Sequence, residues 1–400
     1  MPYQDSVLHA VLQQVPWAEF ERLCAAHDAE RDARGFSAKS QFVALLYAQL
    51  AGALSLRDIE AGMSSHAGQF HGLGVVPARR STLADANAQR PATLFMDLFA
   101  YLAAGAGRSL RRDLGGAGLY LVDATVLPLT GRSRAWAHFS AHACGAIAQR
   151  SPGGSTRRAR ARLHVIYDAD AGRPVYAALS AAKVNAITAA QAMPVEPGAT
   201  YVFDLGYYDY AWWAKLDAAG CHLVTRLKAN TRLREVQDHP VPERASVRSD
   251  RTGLLPARQA SRRQNPLAKR VREVCVQTDT GKLLRILTND LTAPAEAVAA
   301  LCKRRWAIEL FFRWVKQVLR IRHFLGTSEN AVHAQLVTAL IAYLLLRAAQ
   351  ATQTTLTSPL LFVRLVRVNL LHHRPLHALL SPSMTRPANP SQQSLAPCKP

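Results

Sequence analysis

The chain has 400 residues, 49% of them hydrophobic, and carries 49 Lys and Arg against 28 Asp and Glu, a formal net charge of +21. That length and apolar content fit two or three domains with real cores and exclude a largely disordered chain. So large a cationic excess makes a polyanion the leading partner, because each Lys or Arg that neutralises a phosphate releases counterions. A membrane surface is the competing polyanion, but no stretch reads as a basic amphipathic anchor and no uncharged apolar run reaches about 18 residues. The opening "MPYQDSVLHAVLQQVPW" has no basic start and no long apolar run, so it does not read as a signal peptide. Six cysteines lie scattered without a C-x-x-C pair, and fourteen histidines form no H-E-x-x-H pattern. A reduced, cytoplasmic thiol set follows, with neither a disulfide framework nor a zinc site.

Residues 1–110 read as all-helical. "SAKSQFVALLYAQLAG" (37–52) has helical apolar spacing, and "SLRDIEAGM" (55–63) opens with Ser55 three residues before Asp58, a capping box in outline. A Gly- and His-rich loop precedes "RRSTLADANAQRPATLFMDLFAYLAA" (79–104). Two short helices followed by a polar, basic one suit a DNA-reading unit, and a helical packing domain is the plainer reading.

The period then changes. "GLYLVDATVLPL" (118–129), "RLHVIYDAD" (162–170) and "RPVYAALSAAK" (173–183) read as strands, the last two joined by a tight turn at Asp170–Gly172. "ATYVFDLGYYD" (199–209) and "CHLVTRLKAN" (221–230) are two more, separated by the helical "YAWWAKLDAAG" (210–220). Strands with a crossover helix indicate an α/β layer on a mixed sheet. Residues 231–296 break the rhythm and read as a β-rich insertion, with "KRVREVCVQTDTGKLLRILTND" (269–290) a hairpin turning at Thr280–Gly281. Helices return from 297 to 380, including "QLVTALIAYLLLRAA" (335–349), which reads as a core helix. The tail 381–400 is Pro- and Ser-rich and reads as disordered. The run "GGSTRRARAR", with Arg157, Arg158, Arg160 and Arg162, is either a solvated loop or a phosphate clamp.

The segment "RRWAIELFFRWVK" (304–316) carries the sharpest signal. On a helical wheel Arg305, Glu309, Arg313 and Lys316 fall within about 80° of arc. Trp306, Ile308, Leu310, Phe311, Phe312, Trp314 and Val315 take the rest, which predicts one charged stripe on a mostly buried cylinder. Two further carboxylates interrupt apolar strands: Asp123 in "LYLVDATV" and Asp204 in "YVFDLGYY". A buried carboxylate costs several kcal/mol unless it is paired or bound to a metal. Each of the three, taken alone, has a structural explanation as a cap or an ion pair. Together they suit a pair of Mg²⁺ (or Mn²⁺) ions about 3.5–4 Å apart, the arrangement for in-line phosphoryl transfer. Glu309 would then face the metals while Arg305 and Lys316 flank it and contact phosphates.

The chain resembles the DDE transposases of bacterial insertion sequences, specifically the IS4 family. That family's signature is Tyr, two residues, Arg, three residues, Glu, six residues, Lys. Arg305, Glu309 and Lys316 stand at those spacings, with "RWAIELFF" (305–312) matching the family's RW-x-IE-x-FF, while Cys302 occupies the tyrosine position. Asp123 in "VDAT" and Asp204 in "FDLGYYDY" match the first two acidic positions. The resemblance implies an RNase H-like catalytic core (111–230 and 297–380) interrupted by the β-rich insertion (231–296) before the last acidic residue. It also implies a helical domain (1–110) that binds DNA ends. Asp123, Asp204 and Glu309 would be catalytic and metal-binding; Arg305, Lys316, Arg313 and Arg162 would contact DNA. The implied reaction is cut-and-paste transposition, hydrolysis at the element's ends followed by strand transfer. The implied partners are double-stranded DNA, both terminal inverted repeats and target, and a second copy of the chain, with no membrane. The expected location is the bacterial cytoplasm, at the nucleoid when DNA is bound. The alternative is a catalytically impaired DNA-binding derivative of a transposase, and a simple metal-dependent nuclease is a further rival.

Overall fold

The computed structural model describes residues 6–31, 33, 35–114, 117–129, 160–241, 246–258, 263–278, 280–319, 324–353, 356 and 358–379. Arg157, Arg158 and the tail 381–400 lie outside the described residues.

Seven helices come first: α1 Val7–Leu12, α2 Trp17–Ala26, α3 Ala38–Ala51, α4 Leu56–Ser65, α5 Ala67–Gly72, α6 Arg80–Gln89 and α7 Thr93–Leu114. Their ends follow from local chemistry. Ser37 caps α3 through the Ser40 amide, and Gly52, at φ 76°, closes it. Ser55 and Asp58 form the full capping box on α4, each side chain accepting from the other's backbone amide. α3 is buried on every side, so it shows no amphipathic stripe. A helix hydrophobic all round belongs in a core.

Nine strands form one sheet in the order β3-β2-β1-β4-β5-β9-β8-β7-β6. They are β1 Leu119–Pro128, β2 Arg160–Asp168, β3 Arg173–Ala181, β4 Thr200–Phe203, β5 His222–Arg226, β6 Arg234–His239, β7 Val247–Leu254, β8 Arg270–Gln277 and β9 Leu283–Thr288. Strands β1, β4 and β5 run parallel, and β2 is antiparallel to both β1 and β3. This is the mixed sheet that an RNase H-like core calls for. The β2–β3 turn needs the left-handed backbone of Gly172, at φ 64°.

Two helices, α8 Ala186–Ala192 and α9 Tyr210–Ala218, cover one face of β1–β5. The other face takes α7 and three later helices: α10 Ala295–Arg304, α11 Trp306–Val318 and α12 Glu329–Ala351. Alternation along the strands sorts the residues. Tyr120, Val122 and Phe203 join the α8–α9 core, while Leu121, Val165 and Val202 join the larger one. Helix α12 is long and apolar enough to cross a membrane, but 83% of its most apolar window is buried inside the protein. It packs against α1, α3, α6, α7 and α11, and a last helix, α13 Pro359–Val368, lies on it.

The N-terminal helices therefore share their core with the sheet and the later helices. Polar clasps secure the junction. Across it the Asn330 side chain on α12 donates to the Asn87 and Arg90 carbonyls, while Arg90 itself ties the N-terminal helices together through the carbonyls of Ala29, Ser37 and Phe36.

The β-rich insertion is a four-stranded antiparallel meander that extends the same sheet through the β5–β9 pair. Its hairpin turns at residues 278–282, where Gly281 has φ 80°. At Gly253 a Cβ would come within 2.7 Å of the Arg234 carbonyl, so the close approach of β6 and β7 requires glycine there. The buried Arg272 and Asp250 pair two-fold, at 2.8 and 2.6 Å, and Arg272 also donates to the Ala293 carbonyl just before α10. The insertion thereby sets the position of α10, and through it α11.

Candidate active site

Strand register brings the first two carboxylates together. The parallel β1–β4 ladder ends at Val122↔Phe203. One residue further, Asp123 and Asp204 occupy adjacent strands and share the face occupied by Leu121 and Val202. Asp204 also caps the short turn Leu205–Tyr207, accepting from the Gly206 amide at 2.9 Å. Glu309 comes from above, on the first turn of α11. That helix is wedged between the sheet and α12: Phe311 lies 5.1 Å, centroid to centroid, from both Tyr167 and Tyr343.

Arg305 links the strand to the helix. Its Nη2 is 2.5 Å from Glu309 Oε1 and its Nη1 is 3.5 Å from Asp123 Oδ2. In the last turn of α11, Lys316 donates to Thr125 Oγ1, two residues beyond Asp123 on the same face of β1. Burial pushes the Asp123 carboxyl up to about 6. The Ala124 amide, 2.7 Å from Oδ1, holds it down, the Asp204 charge raises it, Arg305 lowers it and Glu309 raises it again. The three carboxylates are thus close enough to repel, and they sit in a field that asks for a cation. Among the described residues, no three His, Cys, Asp or Glu side chains converge closely enough to hold an ion as they stand.

The structure corrects two expectations about site residues. Helix α11 is not a mostly buried cylinder. Ile308, Phe311, Phe312 and Val315 are buried, but Trp306 is 51% exposed and Leu310 46%. Three bands run along it: a core band, the charged stripe, and an open apolar shelf beside that stripe. The wheel alone does not distinguish core from shelf, because both are apolar. The helical run also breaks at Arg305, between α10 and α11. The second concerns where Arg162 lies. It pairs with Val126 and so points to the face opposite Asp123 and Thr125, where its Nη1 donates to the Val184 carbonyl at 3.1 Å. Arg313 is solvent-exposed.

Three neighbours carry no signal in the sequence. Thr125 is the partner of Lys316. Arg226, at the end of β5, acts on the Cys302 thiol: burial raises that thiol's pKa while the charges of Arg226 and Arg305 lower it. Tyr207 is 1% exposed, and its hydroxyl has no hydrogen-bond partner among the described residues. Its pKa is pushed far up, first by burial and then by the charges of Asp123 and Asp204. The "DLGYY" string names the residue but not its burial. Removing a buried hydroxyl that makes no bond relieves a desolvation cost. Tyr207→Phe should therefore leave stability unchanged or raise it by about 1 kcal/mol in urea unfolding; a clear loss would show that the hydroxyl is bonded in solution.

The family profile described as "Transposase DDE domain" matches residues 115–345, more than half of the chain, and a domain of unknown function matches residues 3–76. The protein named transposase y4zB of Sinorhizobium fredii is 38% identical over 325 residues, covering 78% of this chain and 85% of its own length. A transposase for an insertion sequence element of Geobacillus stearothermophilus is 44% identical over 103 residues, 26% of each chain. The solved piggyBac transposase synaptic complex with hairpin DNA is a distant likeness, at TM-score 0.45 and 9% identity over 96% of this chain and 83% of its own. From the profile that spans both strands and helix of the acidic cluster, and from a relative alike over most of its length, the chain belongs to the DDE-domain family of insertion-sequence transposases.

Proposed function

We propose that the chain carries out cut-and-paste transposition with Asp123, Asp204 and Glu309 as its catalytic carboxylates. The observation that carries this reading is their neighbourhood: the β1–β4 register brings the two aspartates side by side, and Arg305 bridges Asp123 and Glu309. An all-oxygen donor set suits Mg²⁺ or Mn²⁺, and the guanidinium lying between two of the carboxylates supports a cation's place there. When bound, a divalent pair supplies Lewis-acid activation of the attacking oxygen and stabilises the leaving one.

The protein's own residues do the rest. Arg305 and Lys316 flank the carboxylates at the height where a scissile phosphate's neighbours would lie. Arg313 extends the basic stripe outward, and Arg162, on the far face, supports the strand pair. Water would attack the phosphodiester at the element's end, and the freed 3′-hydroxyl would then attack target DNA. The helical half, residues 1–110, would bind the terminal inverted repeats, with two copies of the chain bridging two ends. The chain would work in the bacterial cytoplasm, at the nucleoid when DNA is bound.

The test is cleavage of DNA that carries the element's terminal repeats, with Mg²⁺ or Mn²⁺, followed by strand transfer from a pre-cleaved end. Cleavage without strand transfer would assign a nuclease instead. One observation favours the impaired alternative: Cys302 offers neither the ring nor the phenol of the family's tyrosine. End binding without metal-dependent cleavage would establish it.

Lys316→Ala should weaken end binding about three- to tenfold and reduce the salt dependence by about one phosphate's worth of counterion release. Fluorescence anisotropy across a salt series measures both. An unchanged slope would remove Lys316 from the DNA contacts.

A further inference from the structure

We infer that Arg305 is an exchangeable internal cation that holds the acidic cluster until a divalent ion takes its place. This inference rests on the metal-site reading above and adds a control to it. The geometry is specific. The guanidinium is 13% exposed and reaches two carboxylates on different elements, Asp123 of the sheet at 3.5 Å and Glu309 of α11 at 2.5 Å. It sits at the N-cap of α11, one turn before Glu309, so its side chain bridges from Glu309's own helix to Asp123 on the sheet.

A divalent ion and a guanidinium cannot both fill the space between those oxygens, because their charges repel and both need the same lone pairs. Ion entry therefore has to swing Arg305 out. Once displaced, the side chain lies beside the charged stripe with Lys316 and Arg313, where a DNA phosphate is the natural new partner for a planar fork of donors. Binding of the ion and binding of DNA are then linked through one residue: each removes a reason for Arg305 to stay on the carboxylates. The same exchange lets Glu309 close toward Asp123, which the intervening guanidinium now prevents.

The experiment measures Mn²⁺ binding to the full chain by calorimetry in the absence of DNA, comparing wild type, Arg305→Gln, Arg305→Lys and Asp123→Asn. Arg305→Gln should bind Mn²⁺ about tenfold more tightly than wild type, because the competing charge is gone while a polar side chain remains. Arg305→Lys should stay near wild type. Adding end DNA should tighten Mn²⁺ binding in wild type and leave Arg305→Gln nearly unaffected. Equal or weaker Mn²⁺ binding by a folded Arg305→Gln, with the same thermal midpoint as wild type, overturns the exchange. Wild-type Mn²⁺ binding that Asp123→Asn does not weaken overturns instead the metal-site reading on which the exchange rests. Should Arg305→Gln fail to fold, Arg305→Lys decides alone through the DNA effect: a wild-type-like tightening supports the exchange, and none overturns it.

Discussion

Asp123→Asn should lower metal-dependent end cleavage by about three orders of magnitude or more while terminal-repeat binding stays within about twofold. Asparagine keeps the shape and the Ala124 amide contact but removes the charge that makes Asp123 a ligand for a hard cation. The substitution also removes the repulsion from Asp204 and Glu309 that helps push the wild-type carboxyl up to about 6. Asp123→Asn should therefore fold at least as well as wild type. That combination separates the present reading from its rivals. A structural carboxylate, held only by Arg305, would give the opposite pattern: lost stability and intact chemistry. Quantitative cleavage on end DNA, paired with thermal melting, distinguishes the two. Cleavage within tenfold of wild type would end the assignment of Asp123 as a catalytic group.

Much of this site was legible in the sequence because its parts are local. A carboxylate inside an apolar strand, as at Asp123 and Asp204, is a short-range anomaly that needs no tertiary knowledge. The Arg305–Glu309 pair is an i,i+4 relation that spacing alone predicts. The β2–β3 turn at Gly172 and the hairpin near Gly281 were equally plain, since left-handed turns demand glycine.

What the sequence hid depends on long-range placement. Arg162 sits on the face away from Asp123, and that orientation follows from the β1–β2 register, which couples residues more than thirty positions apart. Strand β6 shows no alternation because it is an edge strand, exposed along nearly its whole length. Trp306 and Leu310 look like core, and become a shelf only once α11 is seen resting on the sheet by its other side. The N-terminal half reads as a separate domain because its helices are uniform in type, yet their apolar faces close on α12 from the far end of the chain. A DNA-reading role for that half has to operate from a surface that is rigidly joined to the catalytic core. Its movement relative to the acidic cluster is correspondingly limited.

The same coupling of register to environment gives a pH signature. His164, on β2 beside Ala124, is fully buried; its Nε2 meets Ser180 Oγ at 2.9 Å and its Nδ1 has no partner among the described residues. Burial first, and the Arg162 charge second, lower its pKa from 6.5 to about 4. The folded protein therefore keeps His164 neutral in a range where the unfolded chain takes up a proton. The unfolded state binds more protons between pH 6.5 and about 4, so stability rises with pH across that window. The contribution is complete above pH 6.5 and is lost as pH falls through about 4, with a span of about 3 kcal/mol. Other groups titrate in the same range, so the comparison is with His164→Phe, which fills the site without a proton to bind. Ser180 Oγ retains its contact with the Ala181 carbonyl in that variant. Urea unfolding at pH 7.5, 6.0, 5.0 and 4.2 should show the two proteins converging toward low pH, with the wild type losing about 3 kcal/mol more than the variant. Parallel stability curves would mean that His164 is solvated or paired in solution, and the packing of β2 against the α8–α9 core would need revision.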